Sequence, residues 1–143
     1  MAATLTQDPA LIRRLFADFF AQLFEDPELR TGFAGVGKVL EMRYHDPEIC
    51  FLLDLRGADP SYQDVTGLPV QPSDIQVGMA WPTAHEFWKD NLDVVMAFLS
   101  QRIKATGSTE ALLHLRPHFK SASRLYANLS EDLAVEGSSP VVG

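Results

Sequence analysis

The sequence predicts an α+β fold in which helices cover one face of a single sheet. Each strand-like segment alternates apolar with more polar residues, the mark of a sheet buried mainly on one side. The helical segments carry apolar stripes at three- and four-residue spacing, and such stripes need a surface to cover. At 143 residues the chain is near the commonest domain size and long enough to bury a core. It reads as one domain over 1–143, with loose ends at 1–7 and 134–143.

Asp8 and Pro9 form an N-cap followed by proline at the first helical position. The helix they open runs to about Asp26, where Pro27 follows. Leu11, Ile12, Leu15, Phe16, Phe19, Phe20, Leu23 and Phe24 make its apolar face broad and rich in phenylalanine. Pro27 to Gly37 reads as a short helical turn and a glycine-rich connection. Lys38–Tyr44 and Glu48–Leu55 alternate as two strands of a hairpin around His45-Asp46-Pro47. Gly57–Ser73 is a long loop with a short strand at Tyr62–Thr66, and a loop of this length needs a use. Asp74–Trp81 alternates again. Thr83 with Glu86 fits a capping box for a helix through about Asn91, and a second helical piece covers Asp93–Ser100. Arg102–Thr106 is the last strand. Gly107-Ser108 turns into a final helix that Pro117 should divide and that ends near Asp132.

Composition excludes several function classes. The formal net charge is −7, with 12 Lys and Arg, so the footprint that nucleic acid requires is missing, as is a polybasic membrane anchor. No apolar run approaches the roughly 18 residues of a membrane span. Cys50 is the lone cysteine, which precludes an internal disulfide. The N-terminus lacks the basic and apolar regions of a signal peptide. These features together predict a soluble, cytoplasmic protein without integral membrane contact.

No catalytic or metal-site motif is complete in the sequence. His85-Glu86 begins like a zinc-protease helix, but Lys89 stands where the second histidine belongs. His114 and His118 have ligand spacing, yet Pro117 disturbs their face and no third ligand is evident. Glu86 and Asp90 read as solvated carboxylates. No serine lies in a nucleophile elbow, and no phosphate-binding glycine loop is present. The prediction is no catalytic residue, no metal and no cofactor. Apolar periodicity alone leaves two alternatives open: a filled core, or helices and sheet standing apart around a cavity.

Residues 74–118 resemble the sterol carrier protein 2 (SCP2) family. The resemblance rests on an Asp-led strand, Asp74-Ile75-Gln76-Val77, and a helix opening, Thr83-Ala84-His85-Glu86-Phe87. Asp93 with Ala97-Phe98 follows, then Arg102-Ile103-Lys104-Ala105-Thr106-Gly107 and a final helix starting Ser108-Thr-Glu-Ala-Leu-Leu. Gln101 departs from the glycine usual before the last strand. The resemblance implies a five-stranded mixed sheet with helices on one face and an apolar tunnel between the layers. It implies non-catalytic binding of a fatty acid, fatty acyl-CoA, sterol or phospholipid. The residues expected to line the tunnel are Phe51, Leu53, Trp81, Phe87, Trp88, Met96, Phe98, Leu112, Leu115 and Phe119. The alternative is an accessory protein that holds hydrophobic intermediates, such as isoprenoid-quinone precursors, for a partner enzyme. Its docking surface, for that enzyme or for a second copy, would be the Phe-rich first helix.

Overall fold

A computed structural model describes residues 5–142, with the side chains of residues 5–131. Helix α1 spans Pro9–Glu25, and Asp8 caps it by accepting a hydrogen bond from the Ala10 amide at 3.0 Å. Asp26 ends α1 and caps the next helix, α2 (Pro27–Ala34), accepting from the Glu28 and Leu29 amides. One aspartate thus satisfies donors that the start of a helix leaves without partners.

Five strands follow: β1 (Val39–His45), β2 (Ile49–Asp54), β3 (Ser61–Asp64), β4 (Ile75–Ala80) and β5 (Ile103–Gly107). Their spatial order is β3-β2-β1-β4-β5. The β1–β4 pair is parallel and the others are antiparallel, so the sheet is mixed. This order explains the long loop after β3. The chain must leave one edge and cross β2 and β1 before it can pair as β4. That is three strand spacings, about 14 Å at roughly 4.8 Å each. The expected use of the loop is therefore topological.

Helix α3 (Trp81–Trp88) starts two residues before the expected cap. Thr83 is buried within it, Ala80 holds the cap position, and no side chain caps the end. Pro82 allows the early start because proline is tolerated in a first turn, where its missing N–H has no helical acceptor. Asp93 caps α4 (Val94–Leu99), accepting from the Met96 amide at 3.1 Å. Pro117 divides the last helical stretch as expected. It stands near the end of a 3₁₀ helix, α5 (Thr109–His118), and α6 (Phe119–Val142) follows directly. The backbone of α6 stays helical past the expected end near Asp132. Residues 1–4 and Gly143, parts of the expected loose ends, lie outside the described residues.

Gly107 shows why the turn after β5 takes glycine. Its φ is +85°, and a Cβ there would collide with the carbonyl oxygen of Asp74. That same oxygen accepts a hydrogen bond from the Ser108 amide at 3.0 Å.

The phenylalanine face of α1 is core. Phe16, Phe19 and Phe20 are fully buried and Phe24 nearly so. Phe16 lies 4.8 Å from Tyr44 and 5.9 Å from Trp81, ring centre to ring centre. Phe20 lies 5.4 Å from Phe51. This corrects the expectation that α1 offers a docking surface: a face wide enough to meet sheet, α3 and α6 together has nothing left for a partner. An ion pair from Arg13 to Asp64, 2.7 Å, ties the outer side of α1 to β3. The outer face of the sheet is drier than its alternation suggests, since Glu41 and Cys50 are also buried.

Candidate functional site

The aromatic cluster fills the half of the interlayer space that lies under α1. The other half is open. A cavity of about 650 Å³ lies between the sheet and the helices α3, α4, α5 and the start of α6. This is within the range of roughly 300–1,000 Å³ usual for small-molecule sites.

Its floor follows from strand register. Leu40 pairs with Leu53 across β1 and β2, and Met42 with Val77 across β1 and β4. Val77 pairs with Ala105, and Met79 with Ile103, across β4 and β5. Because residues two apart share a face, these seven side chains pave one continuous apolar floor. Its roof is Leu112 and Leu115 of α5 with Phe119 and Ala122 of α6, and Phe87 and Trp88 of α3 and Val94 and Phe98 of α4 complete the wall.

The cavity persists for a reason legible in α5. A run of ten residues in 3₁₀ geometry is unusual, since such runs rarely exceed three or four. Pro117 lacks an N–H, and its ring conflicts with the carbonyl four residues earlier, so the α-helical ladder cannot extend backward through it. The resulting segment buries none of its residues. Its leucines reach the cavity without filling it.

Of the ten residues expected to line a tunnel, seven line this cavity: Leu53, Phe87, Trp88, Phe98, Leu112, Leu115 and Phe119. Three stand elsewhere. Phe51 is fully buried against Phe16 and Phe20. Trp81 is also fully buried, and its indole N–H donates to the Thr6 carbonyl at 2.8 Å. Met96 is 57% exposed on the outer side of α4. The floor residues Leu40, Met42, Val77, Met79, Ile103 and Ala105 were missing from the expectation. Their alternation marked them as one buried face, but alternation cannot say which part of a face meets a void.

Seventeen of the twenty lining residues are apolar; the exceptions are Asp90, Thr109 and Arg116. Asp90 and Arg116 are exposed and mark the solvent side. Such a chamber can hold an apolar body and leave a polar end at Asp90, Thr109 and Arg116.

The perturbed titratable groups belong to the packed half. Burial raises the Tyr44 and Tyr126 hydroxyls well above the usual phenol value. Tyr44 accepts a hydrogen bond from the Trp88 indole N–H at 3.0 Å. His85 Nδ1 lies 2.9 Å from the Tyr126 hydroxyl. Burial, aided by nearby Lys89 and opposed by Glu86, lowers His85 to about 4. It is therefore neutral at pH 7. Burial raises Cys50 to about 11, so it is a poor nucleophile. His114 and His118 do not share a face, because a 3₁₀ helix repeats every three residues. The His118 ring packs on Gly32 instead, with its Nδ1 3.6 Å from Glu28. Among the described residues no group of three or more His, Cys, Asp or Glu is placed to hold a metal ion. Nor is any helix among them long and apolar enough to cross a membrane.

No family model and no curated protein sequence matches the chain. Solved structures do. The sterol carrier protein domain 2 of Helicoverpa armigera superposes with a TM-score of 0.63 at 12% identity, covering 87% of this chain and 96% of that one. Sterol carrier protein 2 from Yarrowia lipolytica, in its apo form, gives 0.58 at 14% identity over the same shares. A structure described as UbiJ-SCP2, a ubiquinone synthesis protein, gives 0.53 at 16% identity, covering 82% of this chain and 89% of that one. The chain thus has the fold of sterol carrier protein 2 domains.

Proposed function

We propose that this protein binds a lipid-like molecule in the cavity and presents or transfers it without catalysing a reaction on it. The carrying observation is the cavity of about 650 Å³, apolar on floor and roof. An empty apolar void of this size costs stability, and a ligand that fills it restores the lost contacts. Transfer of each CH₂ from water gains about 0.8 kcal/mol. An acyl chain, the acyl part of a fatty acyl-CoA or phospholipid, or a sterol therefore binds there through its apolar body alone. The seven expected residues that line the cavity, together with the floor, are the contact set. Phe51 and Trp81 back the wall from the packed side. In this reading the space works as a tunnel whose mouth lies between α4 and α5, beside Asp90 and Arg116.

The test is uptake of a fluorescent fatty acid by delipidated protein, followed by displacement with unlabelled saturated fatty acids of increasing length. Affinity should rise about fourfold per added methylene, the equivalent of 0.8 kcal/mol, until the cavity is full. Protein that takes up no probe, or affinity independent of chain length, would refute the reading.

The likeness to UbiJ-SCP2 favours a second reading, an accessory protein holding a hydrophobic intermediate for an enzyme. Burial of the α1 phenylalanines removes the docking face first considered for it. An enzyme partner would have to meet another surface.

A further inference from the structure

The cavity does not run the full width of the sheet, and strand register shows where it stops. Two cross-strand rows lead inward from the edge strand β5. In one, Ile103 and Met79 line the cavity and the next residue, Tyr44, does not. In the other, Ala105, Val77 and Met42 line it and Phe51 does not. Both rows are open while they are aliphatic and close at their first aromatic residue. The pair Leu40 and Leu53, one step further along β1 and β2, stays open.

Trp88 closes the row at Tyr44. Its indole N–H donates to the Tyr44 hydroxyl at 3.0 Å. Five aromatic residues line the cavity. Among the described residues, Trp88 alone of these also lies against Phe19, Phe20 and Tyr126, with ring centres 4.9, 6.4 and 6.5 Å away. On its cavity side it lies 5.0 Å from Phe87 and 6.0 Å from Phe119. The indole is thus a partition between the void and the packed cluster. The hydrogen bond holds it in place. An indole swung away from Tyr44 would leave a buried N–H among apolar side chains, and a buried donor without an acceptor is unfavourable.

We infer that Trp88, held by Tyr44, sets the length of the apolar chain that the cavity accepts. A chain entering from the mouth meets the indole along the Ile103–Met79 row and must turn toward Leu40 and Leu53. Tyr44 is a positioning residue: it bonds Trp88 and does not line the cavity. This role presupposes the ligand binding proposed above and adds the side chain that separates shorter from longer ligands.

The experiment is the fatty-acid displacement series repeated on Trp88→Leu, Trp88→Phe and Tyr44→Phe, with a melting temperature for each. The readout is the chain length at which affinity stops rising. Looser packing lowers affinity at every length and leaves that limit where it was. In Trp88→Leu the limit should move to chains longer by about two to six methylenes. Beyond the wild-type limit this variant should bind about fourfold tighter than wild type for each further methylene. Trp88→Phe keeps a ring against Phe19 and should move the limit less, in the same direction; it carries the test if Trp88→Leu does not fold. Tyr44→Phe keeps the shape of the wall but frees the indole, and should also extend the limit. A limit unmoved or shortened in the folded Trp88 variants would overturn the role of Trp88, and a wild-type limit in Tyr44→Phe would overturn that of Tyr44. Wild-type protein that binds no fatty acid would instead refute the ligand reading itself.

Discussion

Enlarging a buried alanine normally harms a protein, and at Ala122 it should help. Ala122 on α6 is 1% exposed and lines the cavity, whereas Ala84 on α3 is fully buried and lies outside it. Alanine to leucine adds three carbon atoms. At Ala84 they meet packed atoms, and overpacking costs about 1–3 kcal/mol. At Ala122 they enter the void and bury apolar surface at about 0.8 kcal/mol per carbon, so the gain reaches about 2 kcal/mol. The two substitutions share chemistry and helix context, yet they should move stability in opposite directions by a total of roughly 3–5 kcal/mol. Urea unfolding of delipidated protein reads this directly, and in melting temperature each kcal/mol corresponds to roughly 3 °C for a chain of this size. Ala122→Leu should also weaken fatty-acid uptake, since it occupies the space. If Ala122→Leu destabilises as much as Ala84→Leu, the interlayer space is packed in solution and the cavity reading is wrong.

Three other outcomes are expected. Trp88 lines the cavity and Trp81 does not, so ligand-induced change in tryptophan emission should survive Trp81→Phe and vanish in Trp88→Phe; the reverse would misplace the site. His85 titrates at about 4 in the fold against 6.5 when unfolded, so between those values the unfolded chain holds more protons. Stability present at pH 7 should fall as pH drops from about 6.5 to about 4, by roughly 3 kcal/mol at most, with the slope flattened in His85→Gln when urea unfolding is repeated across that range. Gly57 and Gly107 both have positive φ, but only at Gly107 would a Cβ strike backbone. Gly57→Ala should therefore cost about 1 kcal/mol from conformation alone, and Gly107→Ala at least about 2 kcal/mol, measured by chemical denaturation.

Local rules made much of this protein legible from its residues. Asp8-Pro9 and Asp26-Pro27 mark helix starts because a carboxylate and a ring-fixed φ act within three residues of themselves. Alternation revealed the strands and which side chains share a face, because side-chain direction repeats every two residues. Pro117 announced a divided helix by the N–H it lacks. The tertiary structure decided the rest. That Thr83 lies inside a helix rather than capping it, and that the α1 phenylalanines are core rather than surface, depends on what packs against them. Whether Leu53 or Phe51 meets the cavity, two positions apart on one apolar face, depends on what packs opposite: the phenylalanines of α1 cover Phe51, while Leu53 borders the open half. A sequence specifies which side chains are oily and which way each points, but a void is a distance between elements far apart in the chain. That distance is set by how well whole helices can approach the sheet.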